Sequence, residues 1–396
     1  MNSAAVPENG ITGDRSRLYS RSLFQPETVL VEMEALALPF TREILDHLPQ
    51  AEVIEIPRPT SLSLARLAEE HDPTRTLLLA CHRGRFFKPC PGTAESYRCC
   101  LYQILHLGLG CNIGCSYCVL QGYLNNPFIT QFVNLEEAFA ELDRELATPG
   151  TFYRIGTGEF TDSLFMDPLT GLAPRLIDYF SGCKNAILEL KTKSVAIANL
   201  LDYPGEIGET IVSWSLNAPE VCRREEGRAA SLEERLKAAA LCRDRGFRIG
   251  LHFDPLLDFP GWEEGYRKIA ALIFDYLDEN DIIWISIGAF RFMPQVRDEL
   301  RRNHPRSNIT AGEFICGRDG KQRYFSGLRR RLYRHLVNEL RRRAPGVFIY
   351  FCMEDRWLWQ DTFGYAPADN RELGLWLDRR CRRFAALEAE NAKPLG

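Results

Sequence analysis

Three closely spaced cysteines, Cys111, Cys115 and Cys118, carry the clearest chemical signal in the chain. They stand in the string Gly108-Leu-Gly-Cys111-Asn-Ile-Gly-Cys115-Ser-Tyr-Cys118, a C-x3-C-x2-C spacing. Three thiolates on one short loop can hold three irons of a [4Fe–4S] cubane, which leaves the fourth iron without a protein ligand. That open corner is what a cluster needs in order to chelate the amino and carboxylate groups of S-adenosylmethionine (SAM). Gly108, Gly110 and Gly114 let the loop curl tightly and bring backbone N–H groups toward the sulfurs. A closed electron-transfer cluster wants a fourth cysteine, and a structural zinc likewise wants four ligands. Cys90, Cys99 and Cys100 are the candidates for such a closing position.

A second string supports SAM: Arg154-Ile-Gly-Thr-Gly158-Glu159-Phe160-Thr161-Asp162. Glycines beside an acid at a strand end let carbonyls and a carboxylate meet an ammonium group, although such strings also build ordinary turns. The element is similar to the Gly-Gly-Glu segment with which radical SAM enzymes hold the methionine amino group. An aromatic directly before the third cysteine, Tyr117, fits that pattern too.

The elements that must position these residues follow from hydrophobic period. Short apolar runs at Thr28–Glu34, Val53–Ile56 and Thr76–Ala80, with a helix over Pro39–Leu48, predict a small α/β region over residues 27–100, behind a disordered tail of residues 1–26. From Gln103 onward, short strands alternate with amphipathic stretches such as Leu135–Leu146 and Leu232–Arg245. Those strands are Gln103–Leu107, Tyr153–Ile155, Ile187–Leu190, Ile211–Leu216, Arg248–Phe253, Ile282–Ile287 and Val347–Phe351. Such alternation predicts an α/β fold, a partial (β/α)6 TIM-like barrel over residues 101–352, with its chemistry at the C-terminal strand ends. Residues 353–396 read as a C-terminal helical extension.

Composition bounds the partners. The chain has 396 residues, 45% of them hydrophobic, and a net charge of −4, which alone predicts neither nucleic-acid nor membrane binding. No run approaches the roughly 18 apolar residues of a membrane span, and the polar N-terminus does not read as a secretory signal, so the expected location is the cytoplasm. There the 13 cysteines are thiols or metal ligands rather than disulfides. One basic segment stands out at residues 297–343, where 14 Lys and Arg face 5 Asp and Glu. It is either a solvated helix face or, because arginine's fork suits phosphates, a nucleic-acid-facing surface.

On these residues the sequence resembles the spore photoproduct lyase family of radical SAM proteins. The cluster loop continues as Cys118-Val-Leu-Gln121, and Leu190-Lys-Thr-Lys193 and Trp214-Ser215-Leu-Asn217 are similar to family strings at later strands. The most specific is Pro260-Gly-Trp262-Glu-Glu-Gly-Tyr266, and Arg323-Tyr324 is similar to an Arg-Tyr pair that contacts the lesion in family members. The resemblance implies a radical SAM barrel whose Cys111, Cys115 and Cys118 bind the cluster. It also implies that Tyr117, Glu159, Thr161, Lys193 and Ser215 line the SAM pocket, and that Arg323 and Tyr324 face damaged DNA. The activity implied is reductive SAM cleavage to a 5′-deoxyadenosyl radical, which abstracts hydrogen from a thymine dimer in a carbon–carbon lyase reaction. A low-potential electron donor such as flavodoxin or ferredoxin would feed the cluster. Blander roles stand beside these: a surface lysine for Lys193, strand polarity for Ser215, packing for Trp262, a satisfied structural histidine for His252.

The sequence departs from the family pattern at two places. Glu159 occupies the position of the hydrogen-donor cysteine, and Val119 that of the tyrosine after the third cluster cysteine. A carboxylic O–H bond is too strong to replace a thiol, so Cys352, at the end of the last strand, is the candidate donor, with Cys316 behind it. The departures leave two other readings open: a radical SAM enzyme on another nucleotide or on RNA, and a non-catalytic iron–sulfur or zinc protein that binds nucleic acid.

Overall fold

A computed structural model describes residue 19 and residues 24–391, apart from 93 and 94, with no side chains for 383–391. The tail expected at 1–26 therefore lies almost wholly outside the described residues; at its end Phe24 is already core, packed on Phe165 at 6.4 Å.

Three parallel strands begin the chain: β1 (Thr28–Glu32), β2 (Glu52–Ile56) and β3 (Thr76–Ala80). Next come β4 (Phe87–Pro89) and β5 (Gln103–Leu105), paired antiparallel. The chain then returns to the first sheet through β6 (Gly108–Leu109) and β7 (Ile129–Phe132), giving the order β2-β1-β3-β7-β6. The cluster loop spans the gap between β6 and β7, so it is anchored on the N-terminal sheet while β5 belongs to the barrel. Sequence reading missed β7, a four-residue run whose partners lie far away in the chain.

The barrel proper adds β8 (Tyr153–Gly156), β9 (Ala186–Thr192), β10 (Ile211–Ser215), β11 (Arg248–Leu256) and β12 (Ile282–Ala289). After a three-stranded antiparallel patch, β13 (Arg291–Phe292), β14 (Ile315–Cys316) and β15 (Gln322–Arg323), comes β16 (Ile349–Phe351). The curled eight-stranded sheet runs β16-β12-β11-β10-β9-β8-β5-β4, parallel except at β4. Six of its parallel strands, β5 and β8 to β12, are the expected (β/α)6 half-barrel. A single antiparallel bridge, Arg98 to Glu354, ties the chain before β5 to the chain after β16 and so links the two sides of the curl.

Strand sequences explain the layering. All eight residues of β12, IIWISIGA, are buried, as expected for a parallel strand covered on both faces. On β9, Leu188 and Leu190 alternate with Glu189 and Lys191, and the second set meets groups from other strands inside the barrel. Glu189 accepts hydrogen bonds from Ser213 Oγ at 2.5 Å and Trp284 Nε1 at 3.3 Å, and lies 2.8 Å from His252 Nε2. His252 is thus a satisfied structural histidine. Burial pushes the Glu189 carboxyl up, but His252 and Ser213 outweigh it and hold the group down at about 2. A carboxylate held below its unfolded value of 4.5 stabilises fully above that value and loses its contribution as pH falls toward 2. Urea unfolding of wild type and Glu189→Gln is therefore expected to differ at pH 7 and to converge by about pH 2.

The C-terminal extension is helical, Arg356–Phe363 and Asn370–Asn391. Its partners are first residues of barrel strands. Arg154 of β8 pairs with Asp378 at 2.9 Å, Arg248 of β11 donates to the Cys381 carbonyl at 3.1 Å, and Arg380 donates to the Ile283 carbonyl of β12 at 3.1 Å. The extension thus covers the end of the barrel opposite the cluster loop. Among the described residues no helix is long and apolar enough to cross a membrane.

The basic segment folds as a helix (Arg297–Asn303), the antiparallel patch and a long helix (Ser326–Arg343). Several of its arginines are paired with acids, some of them at the surface. Arg329 pairs with Glu354, Arg330 and Arg334 with Asp361, Arg331 with Glu263, and Arg342 and Arg343 with Glu339. Glu354, Asp361 and Glu263 come from outside the segment and offset part of its charge excess, which a composition window cannot see.

Candidate active site

The loop after β6 curls through two left-handed glycines, Gly110 (φ 84°) and Gly114 (φ 74°). Gly108 serves differently: a Cβ there would sit 2.8 Å from the Thr130 carbonyl, so its bareness lets β6 approach β7. Cys118 N–H donates to the Cys115 carbonyl at 3.1 Å, closing a tight turn. The three thiols are one another's electrostatic neighbours. Backbone N–H groups of Ile113 and of Leu120 and Gln121 point at the sulfurs of Cys111 and Cys118. Burial is the main force pushing all three thiols up, Cys115 to about 12, while the Lys193 ammonium acts in the opposite sense on Cys115 and Cys118.

This donor set fits a cubane. Each thiolate of a [4Fe–4S] cluster serves a different iron, and N–H groups aimed at the sulfurs stabilise the bound form. A single tetrahedral structural zinc needs a fourth ligand beside the three thiols. The candidate closing thiols gather elsewhere: Cys90, Cys99 and Cys100 are neighbours of Cys352.

Around the loop the residues expected to contact SAM come together. Tyr117 lies under the Lys193 ammonium, 5.6 Å from its ring centre. The β8 and β9 ends are locked by Asp162, which accepts from Lys193 N–H and Thr192 Oγ1, each at 2.7 Å, and from Leu164 and Phe165 N–H at 3.0 Å. Thr161 stands beside that knot. Glu159 is a charged neighbour of Cys118, of Cys90 and of Lys191, which places it between the cluster loop and the barrel interior. The glycines preceding it have packing reasons. A Cβ on Gly156 would collide with the Tyr102 hydroxyl at 1.6 Å, and one on Gly158 would meet Lys191 at 3.0 Å.

Sequence reading missed the group that holds this arrangement. Tyr117 donates its hydroxyl hydrogen to Glu226 Oε1, and Arg235 Nη2 donates to Glu226 Oε2 at 2.5 Å. Arg235 also donates to the Ser215 carbonyl at 2.9 Å and to the Ala230 carbonyl at 2.8 Å. Both charged side chains are 0% exposed. One buried ion pair therefore joins Tyr117 on the cluster loop to Ser215 at the end of β10. Next to it, Gly227 (φ 41°) leaves no room for a side chain, because a Cβ would come within 2.3 Å of the Ile113 carbonyl. The Arg228 N–H completes the contact, donating to that carbonyl at 2.7 Å. An acid followed by glycine, Glu226-Gly227, was the available signal, but nothing in its spacing points to a loop 109 residues away.

A model of the family described as spore photoproduct lyase matches residues 24–342. The chain belongs to that family. The spore photoproduct lyase of Bacillus subtilis is 27% identical over 316 residues, covering 76% of this chain and 90% of its own length. That of Clostridium acetobutylicum is 23% identical over 307 residues, with 75% and 89% covered. A solved spore photoproduct lyase double mutant with bound AdoMet and dinucleoside spore photoproduct superposes with a TM-score of 0.72 at 24% identity. It covers 83% of this chain and 99% of that one, so the fold is that of the spore photoproduct lyases.

The two residues that the family resemblance assigned to the substrate are both buried in this structure. Arg323 is 2% exposed; it pairs with Asp319 at 2.6 Å, donates to the Met353 carbonyl at 3.2 Å and lies 4.1 Å from the Tyr97 ring centre. Tyr324 is buried, stacked on Phe314 at 5.1 Å, with its hydroxyl accepting from Asp258 N–H at 3.2 Å. Arg323 is thus held by an acid of its own segment and a carbonyl beyond it, and the Tyr324 hydroxyl by a backbone N–H. Trp262 is packing, edge-on to His335 at 5.2 Å. Cys352 sits just past β16 with its N–H on the Ile287 carbonyl at 2.8 Å, and its sulfur accepts from Arg291 Nη2 at 3.4 Å. Cys316 is exposed on the antiparallel patch.

Proposed function

We propose that the chain is a spore photoproduct lyase-like radical SAM enzyme acting on a damaged thymine dimer in DNA, in the cytoplasm. The observation that carries this reading is the meeting of three neighbouring thiols with Tyr117, Lys193 and Ser215 at one loop, in a chain of this family. A [4Fe–4S] cluster on Cys111, Cys115 and Cys118 supplies, when bound, the electron that cleaves SAM and thereby generates the hydrogen-abstracting radical. Lys193 offsets the negative charge that the loop thiolates bring into a buried site. Tyr117 and Ser215, fixed by Glu226 and Arg235, give the SAM pocket a rigid wall, and Glu159 and Thr161 face it from the end of β8. Solved relatives with dinucleoside spore photoproduct bound support the substrate class. The electron donor is of low potential, of the flavodoxin or ferredoxin kind.

After dimer cleavage the product radical needs a hydrogen atom, and Cys352 is the proposed source. A donor must keep its S–H bond intact, and burial, followed by Asp254, pushes the Cys352 thiol well above the usual range. In deuterated water the exchangeable S–H becomes S–D, so wild type is expected to place deuterium in the repaired thymine. Cys352→Ala is expected to form 5′-deoxyadenosine normally and to lose that label; full labelling in the variant dismisses Cys352.

The reading as a whole is tested by anaerobic reconstitution with iron and sulfide, then dithionite and SAM. Formation of 5′-deoxyadenosine is expected, followed by conversion of dinucleotide spore photoproduct to thymine dinucleotide. No 5′-deoxyadenosine refutes radical chemistry. If SAM is cleaved but the lesion is left untouched, a second reading prevails, a radical SAM enzyme on another nucleotide or on RNA, which Glu159 at the donor position favours.

A further inference from the structure

A cavity of about 340 Å³ opens between the helix Ser61–Glu70 of the N-terminal unit and the short helix Leu120–Tyr123 that follows the cluster loop. Its lining does not include Tyr117, Lys193 or Ser215. Its size is at the lower end of small-molecule sites, and its lining is unusual in leaving polar groups unmatched. His106 lines it, is 6% exposed, and has no hydrogen-bond partner for Nδ1. Burial, with Lys88 and His82 adding to it, pushes His106 down to about 3, so the ring is a neutral imidazole at physiological pH. Lys88 lines the same space with its ammonium 4.8 Å from the Phe160 ring centre, and among the described residues no carboxylate lies within ion-pair distance of it. A half-buried cation with no direct ion pair, only a more distant pull from Glu141, and a buried imidazole whose Nδ1 has no partner both favour an anionic, hydrogen-bonding guest.

The remaining lining specifies a flat one. Tyr123 is 51% exposed, and its ring stacks on Phe160 at 5.9 Å and 25°. Asn125 and Ser61 add amide and hydroxyl groups at the rim. The helix carrying Tyr123 is joined to the basic helix Arg297–Asn303 through Asn303 Nδ2 donating to Gln121 Oε1 at 2.9 Å. An exposed aromatic beside a lysine, next to an arginine-bearing helix, is the pattern by which single-stranded nucleic acid is held without reading its sequence.

We propose that this cavity is a nucleotide subsite that seats one residue of the damaged strand adjoining the lesion, its base on Tyr123 and its phosphate on Lys88. The inference rests on the DNA reading above and adds a substrate requirement to it, that a strand longer than a dinucleotide binds better. Calorimetric titration can compare dinucleoside spore photoproduct with the same lesion carrying one extra nucleotide on each side, and with undamaged thymidine tetranucleotide. The flanked lesion is expected to bind about tenfold more tightly than the dinucleoside. Tyr123→Ala and Lys88→Gln should each remove most of that gain while leaving dinucleoside binding and 5′-deoxyadenosine formation unchanged. Equal affinity for flanked and unflanked lesions, or variants that weaken both alike, overturns the subsite. The undamaged tetranucleotide keeps the two readings apart. If no lesion binds but the tetranucleotide is weakened by both variants, the subsite stands and the lesion assignment falls; if the variants leave the tetranucleotide unaffected, the subsite falls.

Discussion

Cys115→Ala is expected to yield a folded but colourless protein. After anaerobic reconstitution its iron should drop from about four per chain, the content of one cubane, to near background, with no 5′-deoxyadenosine formed from SAM and dithionite. The side chain is small and buried, and the local backbone contacts, Cys118 N–H and Gln121 Nε2 on the Cys115 carbonyl, do not involve the sulfur. The loop therefore keeps its shape while losing one of three ligands, and no thiol stands ready to replace it, since Cys90, Cys99 and Cys100 gather with Cys352. Cys242→Ala, at a fully buried helix position away from the loop, is the control and should retain full iron. Full iron in Cys115→Ala would refute the assignment of the loop.

Arg235→Met is expected to destabilise the protein by about 3–5 kcal/mol, because it leaves the Glu226 carboxylate buried and uncompensated. The charge matters more than the packing here, since methionine fills much of the same space. Two further losses go with it: Tyr117 loses the partner that fixes Glu226, and the Ser215 carbonyl loses its donor. SAM affinity should therefore fall in parallel with stability. The double variant Glu226→Leu with Arg235→Met separates the two effects. Replacing both charges by apolar groups restores much of the stability, whereas SAM binding stays weak because the Tyr117 hydroxyl then loses its acceptor as well. Recovery of both in the double variant would show that the pair serves only folding. Urea unfolding and SAM titration on the reconstituted protein read the two quantities.

The ion pair also shows why the site was only partly legible in the sequence. Cys111, Cys115 and Cys118 were evident because a C-x3-C-x2-C spacing and its glycines act over eight residues of contiguous backbone. Lys193, Ser215 and Thr161 were candidates through strings at strand ends, and the structure brings them toward the loop. Glu226 and Arg235 lie in a loop and a helix whose own patterns are ordinary: Ser231 and Glu234 form a capping box that explains the helix start, and Arg235 looks like any surface arginine. Arg323 and Tyr324 show the opposite case. Their types suit a nucleic acid, but Asp319, Tyr97 and Phe314 use them inside the fold.

By itself the sequence determined what depends on neighbouring residues: the thiol loop and the strand and helix alternation of a half-barrel. Only the tertiary structure decided which acids neutralise the arginines of 297–343, which strand anchors the far side of the cluster loop, and which thiols stand apart from it. The reason is physical. Local period and spacing fix backbone shape within a few residues, whereas charge pairing in a low-dielectric interior is settled by whichever groups the curled sheet brings face to face.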